Sequence, residues 1–260
     1  MLFDLFNIAS GDGDAIQLIM KLLVRVFVIL CVLPIHEFAH AFIADKLGDK
    51  TARLKGRLTL SPFAHIDPIG ALMTLLCGFG YAKAVPVNMR NFRKKRKDSA
   101  VTNVYNFGSD TVYDSGHAKR CMAAVALAGP VSNLIMAFVS LVLLNTTILV
   151  AQSLVTAQNY ETMVVLVNIV SYFFSFCAAI NINLAVFNLL PIQPLDGSRI
   201  ISVVLPDKIY FKIMKYERII MIVILVLLFT NILSTPLSIL SGWIYDALDF
   251  VASLPFMAFN

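Results

Sequence analysis

The chain has 260 residues, 58% of them hydrophobic and only 14% charged, with a mean hydropathy of +0.79. An ordinary soluble domain is about half apolar and about a quarter charged, so this balance excludes one and points to a polytopic membrane protein. The net charge of +5 does not indicate a nucleic-acid partner, because Lys and Arg are placed as membrane topology requires.

Met1 to Asp14 carries three Asp and no Lys or Arg, so it lacks the basic region of a signal peptide. The first span, near 20–45, is therefore expected to be retained. Lys21 to Leu47 is long enough to cross a bilayer, and within it stands His36-Glu37-Phe38-Ala39-His40. In a helix, residues four apart share a face, so His36 and His40 can offer two imidazoles to one metal ion. Glu37 follows His36 at the position where a carboxylate can take a proton from water activated by that metal. Imidazole pairs suit zinc, and a catalytic zinc takes three protein ligands and keeps one position open. His and Glu are expensive at membrane depth, which favours a functional role over a satisfied core His pair.

Further along, Thr51 to Leu60 alternates polar and apolar residues around Gly56 and is expected to form a short membrane-associated β-hairpin. His65 lies between Pro62 and Pro68, in a turn-rich loop that suits a structural role. Ile69 to Gly80 is apolar but too short to cross, so a re-entrant or interfacial segment is expected. The basic run Arg90 to Lys97 suits a solvated face beside anionic lipid. Residues 98–120 read as a soluble cytoplasmic insertion within a single domain covering 1–260, with His117 expected to be solvated.

Cys121 to Ser198, a run of 78 residues, contains neither Lys nor Arg, and nor does Ile219 to Asn260. Under the positive-inside rule the zones Lys46–Arg120 and Arg199–Arg218 are cytoplasmic, while Gln152 to Glu161 and both termini face outward. Lys21 and Arg25 are expected to snorkel toward the outer headgroups. Further spans are expected at 121–150, 162–188 and 214–234. Leu237 to Phe259 is undecided between a span and a surface-lying helix. Together these make an all-α polytopic helical bundle of about four to six membrane segments. Cys31, Cys77, Cys121 and Cys177 are scattered through apolar stretches and read as small hydrophobes, not disulfides or ligands.

Two His ligands need a third. Pro191 and Pro194 should break the helix that runs up to Leu190, and Asp196 follows the break. Broken backbone at membrane depth is tolerated where it lines a cavity. Asp196 could equally be the N-cap of a helix beginning at Gly197, whose lack of a side chain allows close backbone approach. Depth favours the ligand. His36 and His40 lie nine and five residues before Asp45, about 7–14 Å inside the cytoplasmic boundary. Asp196 lies three residues before Arg199, on the same side.

These motifs resemble the site-2 proteases, intramembrane zinc metallopeptidases, in their compact prokaryotic branch without a PDZ domain. The resemblance rests on His36-Glu37-Phe38-Ala39-His40, Gly56 to Pro62, His65 to Gly70, Val85 to Asn88, Asn91 to Arg93, Ala128 to Asn133 and Phe187 to Arg199, in that order. It implies His36, His40 and Asp196 as ligands of one Zn2+ per chain and Glu37 as catalytic base. Asn133 and Asn188 match positions that help to hold substrate backbone, and the hairpin at 51–60 would receive an unwound substrate by edge pairing. Residues near Ser99 to Lys119 depart from the branch as an insertion.

The expected activity is hydrolysis of a peptide bond in or near the transmembrane helix of single-span membrane proteins, close to the cytoplasmic face of a bacterial cell membrane. A non-proteolytic binding relative of the same fold is the alternative. A transporter is disfavoured because no internal repeat is present.

Overall fold

A computed structural model describes residues 15–77, 82–95, 111–156, 158–193, 195–230 and 232–257. The N-terminal stretch Met1 to Asp14, residues 96–110 with the first part of the expected insertion (98–120), and Pro194 lie outside the described residues. Among the described residues, four helices are long and apolar enough to cross a membrane: Leu18–Lys46, Ser115–Leu154, Tyr160–Asn188 and Ser234–Phe256.

The first of these has two parts. Helix α1 (Ala15–Phe27) runs through a π-helical turn, Val28–Val32, into α2 (Leu33–Lys46). Pro34 explains the wide turn: it cannot donate to the carbonyl four residues back, and its ring crowds that carbonyl. Beyond α2 come the single turns α3 (Thr51–Leu54) and α4 (Pro62–His65), then α5 (Pro68–Cys77). Residues 82–88 have no regular secondary structure and lead into a 3-10 turn, Met89–Asn91. Strands β1 (Arg93–Lys95) and β2 (Thr111–Tyr113) pair antiparallel, so the chain leaves and returns at one place. Helices α6 (Ser115–Leu154) and α7 (Tyr160–Asn188) follow, joined by a turn in which Thr156 N–H donates to Asn159 Oδ1 at 2.6 Å. The remainder is α8 (Gly197–Ile201), α9 (Asp207–Met214), α10 (Glu217–Phe229) and α11 (Ser234–Ser253).

Packing follows small residues. Ala41, Ala44, Ala118, Ala126, Ala137, Ala178, Ala185 and Ala252 are all buried, which lets helix backbones approach where lipid gives no hydrophobic drive for association. Helix α2 packs on the first half of α6 around Ala44, Ala118, Cys121 and Val125, with Phe92 fully buried between them. Helix α1 and the π-helical turn pack on α7 through Val24, Val28, Val32 and Cys177, and α11 closes against α6 and α7.

Four expectations are corrected. Residues 51–60 form no hairpin. Gly56, at φ +66°, is the left-handed residue after the turn α3, with Arg57 N–H bonded to Ala52 O and Gly56 N–H to Arg53 O. Gly48, at φ +106°, ends α2 with the same pair of bonds. Both are Schellman ends, in which glycine takes a backbone conformation that side chains resist. Arg25 does not snorkel outward: its Nη1 donates to Leu75 O at 2.7 Å, satisfying a carbonyl in the last turn of α5. Segment 214–234 yields α10 of 13 residues, about 20 Å at 1.5 Å per residue, short of the ~30 Å apolar layer; Ser234–Phe256 has the length instead. His117 is half-buried, with Nε2 3.4 Å from Cys121 Sγ. As expected, Cys121 and Cys177 are buried free thiols.

Candidate active site and metal centre

Helix α2 carries the centre. His36 and His40, one turn apart, are buried, and their Nε2 atoms are 3.1 Å from one another. His40 Nδ1 lies 2.7 Å from Val125 O on α6. A carbonyl only accepts, so Nδ1 carries the proton and the Nε2 lone pair is free to ligate. His36 Nδ1 is buried without a partner.

The third group arrives from the far end of the chain. Helix α7 ends at Asn188, and an irregular turn leads to Asp196 at the start of α8. That close return depends on Gly197, where a Cβ would stand 2.3 Å from both Leu189 O and Leu190 O. Asp196 occupies the cap position, yet its carboxylate makes no capping bond. Its Oδ2 stands instead 3.3 Å from His36 Nε2 and 3.2 Å from His40 Nε2.

Three lone-pair atoms thus converge, and a single shared proton cannot satisfy all three contacts. Around a tetrahedral ion with ligands at about 2.0–2.1 Å, neighbouring donor atoms stand about 3.3–3.4 Å apart, close to the separations found here. Gly129 of α6 gives a second test. A Cβ there would lie 2.4 Å from His40 Nε2 and 2.6 Å from His36 Nε2, in space a metal ion would need. Glycine keeps it clear. The donor set of two imidazoles and one carboxylate fits zinc.

Glu37 is buried beside this cluster, and its Oε2 accepts the Val85 N–H at 2.9 Å. A cavity of about 320 Å3 is lined by His36, Glu37, His40, Val85, Asn133, Asn188 and Asp196, among others. Asn133 lies one turn beyond Gly129 on α6. It is fully buried, and neither its amide oxygen nor its nitrogen has a hydrogen-bond partner. All six residues singled out in the sequence therefore meet at one cavity. Two others, Val85 and Gly129, had a signal only as parts of the matched motifs, without a role.

His65 is not in the cluster. It is buried, with Nε2 2.8 Å from Thr59 O, which fits the structural role expected. Asp49, just past α2, was missed entirely. Its buried carboxylate accepts from Thr51 N–H, the Thr51 hydroxyl, Asn88 N–H and Asn91 Nδ2. Burial alone would raise its pKa, but these four donors outweigh it and hold the carboxyl below its ordinary range.

Comparison with known proteins gives concordant matches. The model of peptidase family M50 matches residues 24–231, which include all six residues and both helices that carry the His pair and Asn133. The chain is 38% identical over 195 residues to a Bacillus subtilis (strain 168) protein named "Putative zinc metalloprotease YwhC", covering 75% of each chain. No solved structure matches.

Proposed function

Because the chain belongs to peptidase family M50, the site-2 protease family, we propose that it is a zinc-dependent intramembrane endopeptidase. It hydrolyses a peptide bond in or near the transmembrane helix of a single-span membrane protein, close to the cytoplasmic face. One observation carries this reading. Three metal-ligating side chains converge beside a singly anchored carboxylate, in one cavity among helices apolar enough to span a bilayer.

In this reading His36, His40 and Asp196 hold one zinc ion per chain. When bound, zinc supplies Lewis acidity that activates water near neutral pH and polarises the scissile carbonyl. Glu37 is the base. Its Oε2 is held by Val85 N–H, so Oε1 is the acceptor for the proton of the attacking water, and the same oxygen returns it to the leaving amine. Asn133 and Asn188 hold the substrate backbone. Leaving a buried polar group unpaired costs about 1–3 kcal/mol, and Asn133 has two such atoms. A peptide segment supplying a carbonyl and an N–H would offset both. The substrate helix must unwind locally, since its own carbonyls are otherwise hydrogen-bonded and shielded.

The chain acts as a single membrane-embedded domain, with a cytoplasmic insertion in the expected stretch 98–120; the β1–β2 pairing supports an excursion that closes before α6 begins at Ser115. The active site faces the cytoplasm of a bacterial cell, following the Lys and Arg distribution. Cysteine labelling tests that orientation. Positions 94 and 212 should label from the cytoplasm and position 156 from outside, and reversed labelling of 156 would overturn the orientation. The activity is tested by reconstituting the protein with single-span substrates in liposomes. Cleavage should fall near the cytoplasmic end of the substrate helix, stop with a chelator and return with zinc. Zinc-replete protein that binds such substrates without cutting them would favour the binding relative instead.

A further inference from the structure

The hydrogen bond from Val85 to Glu37 raises the question of what holds Val85 in place. Residues 82–88 have no regular secondary structure and belong to no sheet among the described residues, so no ladder fixes them. They are suspended from both ends by residues of the 49–65 loop.

At the upstream end, the Arg57 guanidinium donates to Lys83 O and reaches Ala84 O at 3.5 Å. Lys83 N–H donates to His65 O at 2.8 Å, and His65 is buried with Nδ1 3.5 Å from the same guanidinium. At the downstream end, the buried Asp49 carboxylate accepts Asn88 N–H at 2.6 Å and Asn91 Nδ2 at 2.6 Å. The next residue, Phe92, is buried in the core between α2 and α6. Val85 sits between the two anchors. Asp49 also follows directly from the helix that carries Glu37, through the left-handed turn at Gly48. The carboxylate fixing the segment is thus tied to the end of the helix that carries the carboxylate the segment touches, with the Asp49 N–H bonded to Ala44 O at 2.9 Å.

We propose that Asp49 and Arg57 are positioning residues for Glu37, acting through the 82–88 segment that they suspend. The inference rests on the reading of Glu37 as base. Neither residue lines the catalytic cavity, so neither is expected to bind metal or substrate. Slackening either end would let Val85 drift and free Glu37 to rotate. A misplacement of about 1 Å near the reacting atoms can lower a rate by about 100-fold.

The test uses full-length protein in liposomes with a single-span substrate, measuring kcat, KM and zinc for Asp49→Asn and Arg57→Gln. Asp49→Asn replaces one acceptor oxygen with a donor that faces donors, and Arg57→Gln cannot reach Lys83 O. Each is expected to lower kcat by about 10- to 100-fold, with KM within about two-fold and zinc still near one per chain. Single-turnover rates on the Glu37→Gln background should show no further loss, because the anchors act only through that side chain. Unchanged kcat, lost zinc, a raised KM with kcat retained, or a full multiplicative loss on the Glu37→Gln background would each overturn the proposal. If Asp49→Asn fails to insert, Arg57→Gln decides alone. Wild-type cleavage by Glu37→Gln would remove the underlying base reading, whereas an inactive Glu37→Gln beside fully active Asp49→Asn and Arg57→Gln would remove only this inference.

Discussion

Glu37→Gln is expected to keep zinc near one per chain, insert normally and cleave a reconstituted substrate at least about 100-fold more slowly than wild type. That figure is the low end of what a positioned general base contributes. Glutamine preserves size, and its amide oxygen can still accept the Val85 N–H that Glu37 Oε2 accepts. It cannot take up a proton near neutral pH. His36, His40 and Asp196 are untouched, so loss of activity with metal retained would separate proton transfer from binding. The same variant should still co-purify with substrate. Cleavage and zinc measured on the same samples check this, and a rate like wild type would sink the mechanism.

Gly129→Ala is expected to lose zinc and, with it, cleavage by more than about 100-fold, although it adds only one methyl group. The new carbon would stand 2.4–2.6 Å from His40 Nε2, His36 Nε2 and His36 Cε1, closer than van der Waals contact allows. Overpacking a filled interior costs about 1–3 kcal/mol, and here the strain falls on the ligands themselves. Alanine is the better helix former by about 1 kcal/mol, so α6 itself should not be weakened. The chain should therefore insert and retain its helix content while its zinc content drops. Metal analysis beside circular dichroism reads both. Full zinc occupancy in Gly129→Ala would mean that the ion does not use the space between the His rings and α6.

The parts of the site legible in the sequence are those set by local geometry. The His36/His40 spacing puts both imidazoles on one face of any helix. The turn after Asn188 followed from Pro191, and Asp196 from the need for a third ligand at matching depth. The contacts around Glu37 had no such signal. Val85 lies 48 residues from Glu37, and Asn88 lies 39 from Asp49, so only the tertiary fold brings them together. Residues 51–60 misled because alternation over ten residues is weak, and a glycine at positive φ serves a hairpin or a helix end alike. The signal that could have decided was the pair Gly48 and Gly56, each directly after a helix-forming stretch. Arg25 misled because its partner carbonyl is 50 residues away. The segment Leu237 to Phe259, undecided from the sequence, begins just after Pro236, which falls in the first turn of α11, where a missing N–H does no harm.

The central claim is that His36, His40 and Asp196 together hold one zinc ion, and metal analysis of purified wild type beside Asp196→Ala tests it most directly. Wild type should carry about one zinc per chain, and Asp196→Ala close to none, because a catalytic zinc site relies on three protein ligands. An Asp196→Ala protein that folds, inserts and still carries one zinc per chain would contradict the account.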